Sequence, residues 1–98
     1  MLYGPIYLKS DNGEGLITLD IYEDGEAMVC GIQRLEARFQ STTKWLTTIR
    51  KEIGKIERVA KEAGCTEMRV AGRDWSRVLH PVGYEYLMGV KNGLRKEL

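Results

Sequence analysis

The chain holds few of the residue types from which a nucleophilic active site is usually built. His80 is the only histidine among 98 residues, so a Cys/His or Ser/His dyad would have to use it. Its place directly before Pro81 indicates a helix end, where an imidazole caps the backbone or faces solvent. The sequence therefore favours a capping or surface role for His80 over general-base catalysis.

Metal ligands are equally scarce in this sequence. Cys30 and Cys65 stand far apart and belong to no paired spacing, whereas structural zinc sites draw four Cys or His ligands from short, regular intervals. We predict no metal site and expect both cysteines to be half-buried, reduced thiols without a disulfide.

Four carboxylates crowd around one predicted turn, at Asp20, Glu23, Asp24 and Glu26. A pair of carboxyl groups in a cleft can divide the roles of general acid and general base. A hairpin turn is exposed to solvent, and that exposure explains the acidic residues better than catalysis does.

Aromatic and basic residues near the C-terminus give two further candidates. Tyr84 and Tyr86 fall on one face of a predicted strand; a phenol there is a candidate displaced general acid, but core or cross-strand packing is the favoured interpretation. Arg73, Trp75 and Arg77 form a candidate partner-binding cluster, because Arg and Trp are enriched at binding hot spots. The alternative places Trp75 over the sheet, with both arginines facing solvent.

Composition and charge exclude several classes of protein. Ninety-eight residues, 43% of them hydrophobic and 30% charged, are enough for one globular domain spanning residues 1–98. Fifteen basic and fourteen acidic residues leave a net charge of +1, so charge alone predicts neither a nucleic-acid nor a membrane partner. Without a signal-peptide pattern or a long apolar run, we expect a cytoplasmic location wherever the protein is made, with packaging into a particle as a later step.

Alternating residues predict a β-rich first third. Short strands are expected at 6–8 and 16–22, and a returning strand at 27–32 that extends towards Leu35. Between the last two, Asp24-Gly25 predicts a tight hairpin with a type I′ turn, which needs positive φ at both central residues.

A change of period predicts one long amphipathic helix from residue 41. Its apolar stripe, with spacings of three and four, is Trp45, Ile49, Ile53, Ile56, Ala60 and Ala63. Candidate N-caps are Ser41, Thr42 and Thr43, and Gly64 suits a left-handed C-terminal cap. Close approach to the sheet would explain Gly54 in the interior. Lys51, Lys55, Glu57, Arg58, Lys61 and Glu62 form the other face, which we expect to be solvated rather than a nucleic-acid-binding stripe.

The remaining residues predict a mixed sheet. A strand at 66–71 is expected to run parallel to an earlier one because a helix connects them. Asp74 caps a short helix over 75–79, a strand follows at 84–90, and Asn-Gly at 92–93 turns into a last strand at 94–98. The predicted order is β-β-β-α-β-α-β-β, an α/β fold whose sheet is mixed and largely antiparallel, with one long and one short helix.

A series of short motifs fills the chain from residue 41 onward. The long helix ends in Ala-Gly-Cys, the next strand in Gly-Arg, and these precede Trp-Ser-Arg-Val-Leu, Pro-Val-Gly-Tyr-Glu and a closing Leu-Arg-Lys-Glu-Leu. In this order they resemble the C-terminal half of the GNAT acetyltransferase fold. More narrowly, they resemble short GNAT-like proteins encoded by tailed phages. The resemblance covers residues 41–98, rests upstream only on the order of elements, and implies a truncated GNAT-like fold.

Two functional motifs of that family are altered here. The family binds the CoA pyrophosphate with an Arg/Gln-x-x-Gly-x-Gly/Ala loop at the start of its long helix, where backbone N–H groups meet the phosphates. Residues 39–45 hold Phe-Gln-Ser-Thr-Thr-Lys-Trp there, with no glycine. Free N–H groups and Lys44 still suit an anion, although the side chains would hinder close backbone approach.

The second altered motif concerns the proton donor. In the family's Asn-x-x-Ala-x-x-Leu-Tyr motif, the tyrosine is a general acid towards the leaving thiolate, and an ungapped alignment places Gly72, Trp75 and Leu79 at its asparagine, alanine and tyrosine. Leucine cannot donate a proton, and the indole of Trp75 would fill space that a cofactor needs. The resemblance therefore implies inherited architecture more than inherited chemistry.

Three functions follow from these patterns. The favoured one is a non-catalytic, phage-type GNAT-like module that contacts another protein, as a virion component or an inhibitor of a host machine, with no cofactor. The first alternative is an acyl-CoA-dependent N-acetyltransferase with an atypical pyrophosphate loop, for which acetyl-CoA would be the cofactor. The second is a nucleic-acid-binding domain that uses the basic residues of the long helix. A homo-oligomer is expected to cover an exposed sheet edge.

Overall fold

The computed structural model describes residues 2–10, 13–39 and 42–98. The described residues form six strands and two helices, in the predicted order: β1 (Leu2–Ser10), β2 (Gly13–Asp24), β3 (Ala27–Phe39), α1 (Thr42–Glu62), β4 (Glu67–Val70), α2 (Ser76–Leu79), β5 (Glu85–Tyr86) and β6 (Leu94–Glu97). The predicted α/β class with one long and one short helix is confirmed.

The six strands form one mixed, mostly antiparallel sheet in the order β1-β2-β3-β4-β6-β5. β3 and β4 are its parallel pair, and every other neighbouring pair is antiparallel. The parallel pair follows from α1, because a chain that must return to the same end of the sheet needs a crossover connection.

The hairpin between β2 and β3 has a different turn from the predicted one. Asp24 pairs with Ala27, so Gly25 and Glu26 are the two central residues, and among the described non-glycine residues only Asn92 has positive φ. Gly25 has φ +61°, which fits a type II′ turn with glycine in the first central position. The type I′ prediction is wrong because the strands pair one residue further along than the Asp-Gly signal implied.

The two strands that flank β2, namely β1 and β3, are longer than predicted. β1 runs over Leu2–Ser10 and β3 reaches Phe39, whereas alternation predicted only 6–8 and an end near Leu35. β2 pairs with β1 on one side and with β3 on the other. This pairing extends β1 and β3 into residues whose own alternation of polar and apolar side chains is too weak to predict a strand.

The core lies between one face of the sheet and the two helices. α1 contributes its predicted stripe from Ile49 onward, with Ile53, Ile56 and Ala60, and α2 contributes Val78 and Leu79. The sheet contributes the alternate residues that face these helices, chiefly Ile17, Leu19, Cys30, Ile32, Met68, Val70 and Leu94. Each buried isoleucine stabilises the fold by about 1.5–3 kcal/mol, so this face holds the two layers together.

The C-terminal end of α1 is confirmed, and one prediction inside the helix is wrong. Gly64 has φ +91°, its N–H donates to the Lys61 carbonyl at 3.1 Å, and the N–H of Cys65 donates to Ala60 at 2.9 Å, which is a Schellman motif. Gly54 does not approach the sheet: it is exposed, and a Cβ there would meet no atom within 4 Å.

The predicted N-caps and the predicted burial of Trp45 concern the start of α1, where the structure describes few residues and side chains. Ser41 lies outside the described residues, and so do the side chains of residues 42–46, which include the other two candidate N-caps and Trp45. At the other end of the predicted stripe, Ala63 follows the helix and is exposed rather than buried.

The C-terminal third departs from prediction after α2. The Ser76 N–H donates to the Asp74 carboxylate at 3.0 Å, but the N-cap residue of α2 is Trp75, so Asp74 binds a backbone N–H of the first turn from one residue further upstream. The helix ends at Leu79 before a 3-10 turn over His80–Val82. The predicted strand over 84–90 is wrong, because β5 has two residues and a loop spans 87–93. The loop is closed by a hydrogen bond from the Leu87 N–H to the Gly93 carbonyl at 2.9 Å.

Among the described residues, neither helix combines the length and the hydrophobicity that crossing a bilayer requires.

Candidate functional site

One face of the sheet is not covered by either helix. The register places on it the alternate strand residues that point away from the core, and we call this surface the open face. Its central residues are Asp20, Tyr22, Asp24, Val29, Gly31, Glu67, Arg69, Arg95 and Glu97. A largely antiparallel sheet tolerates this arrangement, with one face packed and the other in contact with water.

Alternating charges cross the open face from β2 to β6. Arg69 lies between Asp24, at 2.5 Å, and Glu67, and Arg95 Nη2 lies 2.7 Å from Glu67 and 3.2 Å from Glu97. Glu67 is only 6% exposed, so two guanidinium groups compensate one buried carboxylate. We call these five residues the charge ladder.

The charge ladder favours the ionised forms of Glu67, Arg69 and Arg95. Burial by itself raises the pKa of Glu67, but hydrogen bonds from Arg95 and Arg69 outweigh it and leave the pKa below its ordinary value. Hydrogen bonds to Asp24 and Glu67 raise the pKa of Arg69. The members neutralise one another, which makes them structural groups rather than proton donors.

β3 and β4 diverge after four paired residues. They pair from Val29 with Glu67 to Ile32 with Val70, where β4 ends while β3 continues to Phe39. The register against β2 shifts between Thr18 and Leu19, which leaves Gln33 as the extra residue of a bulge. A bulge bends its strand and increases its twist, so β3 turns away from β4 at this point.

A cleft of about 270 Å³ opens where the two strands diverge. We call it the β3–β4 cleft; its lining residues are Asp20, Tyr22, Gly31, Ile32, Gln33, Arg69, Val70, Ala71, Leu87 and Val90. The Tyr22 ring lies close to Gly31, since a Cβ on that glycine would be 3.3 Å from Tyr22 Cε1. The cleft is mainly apolar, and its one guanidinium belongs to the charge ladder.

A second polar cluster lies in the protein interior. The Tyr84 hydroxyl donates to Glu57 Oε2 at 2.9 Å, and Lys96 Nζ donates to Glu57 Oε1 at 3.0 Å and to the Val82 carbonyl at 2.8 Å. The sequence predicted that Glu57 lies on a solvated helix face, and this prediction is wrong. Glu57 joins α1 to β6 and to the segment before β5.

The two tyrosines that were candidate general acids are in different environments. Tyr84 is 2% exposed and precedes β5, whereas Tyr86 is exposed and packs edge-on against the His80 ring at 4.7 Å, so they do not share a strand face. Burial, and then the Glu57 carboxylate, raise the pKa of Tyr84. A buried phenol with a raised pKa, already donating to a carboxylate, is a poor proton donor.

The positions that the family resemblance marks for chemistry are structural in this fold. Leu79 is 2% exposed in the core, Trp75 is half-buried against it, and Gly72 is exposed with φ +97°. Of the predicted phosphate-loop segment, Gln40 and Ser41 lie outside the described residues.

The predicted partner-binding cluster lies around the start of α2. Arg73 and Arg77 are exposed, and Trp75 packs against the core from one side. Sequence inspection missed Arg50 on α1, whose Nε donates to the Val78 carbonyl at 3.2 Å and whose Nη2 lies 3.5 Å from the Arg77 carbonyl. These hydrogen bonds hold α2 against α1 and so fix where the two exposed arginines lie.

The remaining candidate residues have structural roles. Cys30 and Cys65 are free and fully buried rather than half-buried, and burial, with a smaller effect of Cys65, raises the pKa of Cys30 to about 11. His80 Nδ1 lies 2.7 Å from the Tyr84 carbonyl, which makes the histidine a backbone cap. Glu23, Asp24 and Glu26 are exposed, as predicted for turn carboxylates, but Asp20 is half-buried.

Within the described part of the chain, no group of three or more His, Cys, Asp or Glu residues is arranged to hold a metal ion. Comparison of the chain with protein-family models, with curated proteins and with solved structures finds no match.

Proposed function

We propose that the chain is a non-catalytic module of GNAT-like architecture that acts by binding another protein. The architecture is supported by the order of elements, in which three antiparallel strands, a long helix, a parallel strand and a short helix precede two closing strands. That is the order which the sequence resemblance implied.

The observation that carries the proposal is the state of the two groups nearest to a catalytic role. Leu79, at the position of the family's general acid, is a core side chain without a proton to give. Tyr84, the phenol closest to it in sequence, has its hydroxyl engaged by Glu57 inside the protein. General acid catalysis needs a donor within hydrogen-bond reach of a substrate, and neither residue meets that condition.

Binding to a protein is supported by the composition of the exposed surface. Large apolar and aromatic side chains lie in water, including Met88 at 92% exposed and Tyr7 at 73%. Tyr, Met and Arg are enriched at protein interfaces, whereas single exposed aliphatic residues need no explanation. The resemblance to short phage-encoded proteins supports a virion component or a host protein as the partner.

A second candidate function is acyl-CoA-dependent N-acetylation, which the β3–β4 cleft favours. The cleft lies between diverging parallel strands and is apolar, features that suit an acyl-thioester arm. Its volume of about 270 Å³ falls just below the range of pockets that enclose small ligands, about 300–1,000 Å³.

A thermal-shift measurement with CoA and acetyl-CoA at millimolar concentration separates the two candidates. A ligand at 100 times its dissociation constant stabilises the folded state by about 2.7 kcal/mol, so a true cofactor would raise the melting temperature by several degrees. We expect no shift beyond that produced by ADP, the matched nucleotide control. A shift specific to CoA would favour the acetyltransferase.

A further inference from the structure

We propose that the free edge of β3 beside the β3–β4 cleft binds an extended segment of a partner protein by strand addition. The inference rests on the proposed function, because it names the kind of partner segment and its place. The edge consists of residues 33–39: among the described residues, 34–39 pair with β2 alone, and Gln33 is the extra residue of the bulge.

The geometry of this edge suits a peptide backbone. Seven residues of strand extend about 23 Å, and alternate residues direct their N–H and C=O groups away from β2. β4 would have satisfied those groups had it continued, but it ends at Val70. An extended peptide that continues the line of β4 would form these missing hydrogen bonds with β3. The parallel pairing of β3 with β4 would then continue as a pairing of β3 with the peptide.

The other edges of the sheet are protected against strand addition, and this one is less so. β1 carries Pro5, a register irregularity between Tyr3 and Ile6, and Lys9, all features that blunt an edge. β5 is too short, with two residues, to support a ladder. Residues 33–39 contain no proline and no lysine, and their one bulge at Gln33 opens the cleft.

The surroundings specify the character of the added segment. Ile32, Val70, Leu87 and Val90 give the cleft an apolar lining beside the first residues of the free edge, and its volume suits one or two apolar side chains. Further along the edge, Arg34 pairs with Glu36, whereas Arg38 and Lys9 lie on either side of Glu14 in the strand register and leave one positive charge in excess. Charge complementarity therefore favours an apolar residue in the cleft, followed by an acidic residue near Arg38.

The test begins with a displayed library of random twelve-residue peptides selected on the full chain. Selected peptides are synthesised, and their binding is measured by fluorescence anisotropy. We expect apolar-acidic sequences whose binding shifts the backbone amide NMR signals of residues 33–39. Failure to select any binding peptide would overturn strand addition.

Two sets of variants make the test specific. Ala71→Trp fills the cleft from an exposed position and should weaken peptide binding at least tenfold, while Ala63→Trp, an equally exposed alanine at the end of α1, should leave it unchanged. N-methylation of the peptide, one residue at a time, should abolish binding at alternate positions only, since a strand directs every second N–H to its partner.

The outcomes separate this inference from the proposed function. Peptides that bind without the two-residue period, or that perturb amides outside 33–39, would overturn strand addition and leave a protein-binding module in place. Displacement of the peptide by acetyl-CoA at low micromolar concentration would contradict the non-catalytic function itself. Equal weakening by Ala63→Trp and Ala71→Trp would also overturn the assignment to the cleft.

Discussion

At the scale of single residues, charged groups on both faces of the sheet are paired with one another. Glu67 is buried on the otherwise open face between Arg69 and Arg95, and Glu57 is bound by Tyr84 and Lys96 on the helix side. Every buried side-chain nitrogen or oxygen among the described residues has a hydrogen-bond partner. Such complete pairing stabilises the fold.

Glu67 gives the chain a defined acid sensitivity. Its folded-state pKa is lowered, so its contribution to stability is fully present above the ordinary carboxyl value of 4.5 and is lost as the pH falls through the folded-state pKa. At neutral pH, Glu67→Gln leaves two arginines facing a neutral amide, and we expect a loss of about 2 kcal/mol in the free energy of unfolding. Urea denaturation of both proteins at pH 7 and below pH 4 should show the difference shrinking in acid. A difference that stays constant with pH would contradict this role.

Gly54 lowers the stability of α1 at a position where alanine would fit. A Cβ there meets nothing within 4 Å, and an interior helical glycine costs about 1 kcal/mol relative to alanine. We expect Gly54→Ala to raise the free energy of unfolding by about 0.5–1 kcal/mol in urea denaturation. The control Gly64→Ala should lower it, because alanine is strained at φ +91°. Destabilisation by Gly54→Ala would show that the helix has a neighbour at this position.

At the scale of elements, α1 is tied to the closing strands by one hydrogen-bonded cluster as well as by its apolar stripe. Tyr84, Glu57 and Lys96 come from three separate parts of the chain, and Arg50 makes the corresponding link to α2. These contacts help to position α2 and the segment before β5, since β5 has only two residues with which to pair, whereas all four residues of β6 pair with β4.

Removal of one hydroxyl tests the link between α1 and the closing segment. Tyr84→Phe deletes the donor to Glu57 and should lower the free energy of unfolding by about 2 kcal/mol, as expected for a hydrogen bond to a charged group. Tyr86→Phe, at an exposed tyrosine two residues away, should change it by less than about 0.5 kcal/mol. A double-mutant cycle of Tyr84→Phe with Glu57→Gln should show coupling above about 0.5 kcal/mol. Additive effects would mean that the hydrogen bond contributes nothing.

Local sequence patterns predicted which helices and strands form better than they predicted where those elements end or what they contact. The alternation in β2, the period of α1 and the cap at Gly64 are local signals, and the structure confirms them. The full length of β1 and β3 arises from pairing with β2, which no local pattern contains. Alternation over 84–90 predicted a strand where the chain forms a loop, because β6 begins at Leu94, opposite Tyr86, and so has no residue opposite 87–90.

Less of the candidate site than of the fold could be predicted from the sequence. Helical periodicity placed Glu57 on a solvated face, because its partners Tyr84 and Lys96 are 27 and 39 residues away in the sequence. The β3–β4 cleft arises from a bulge at Gln33 and the early end of β4, both products of register. Long-range pairing of this kind leaves no signature in a single sequence.

At the scale of the whole molecule, the two faces of the sheet have different roles. One face and the helices form the core, while the open face carries the charge ladder, in which Glu67 alone is buried, and borders the β3–β4 cleft. We propose that the exposed side chains outside the core contact a partner protein.

The most direct test of that central claim is calorimetric titration of the full chain with acetyl-CoA, up to millimolar ligand. We predict no heat beyond dilution, because residues 39–45 contain no glycine and Leu79, which the proposed resemblance aligns with a proton donor, is a buried core side chain. One-to-one binding with a dissociation constant in the low micromolar range would contradict the account, since it would show a functional cofactor site in a chain that we propose to be a protein-binding module.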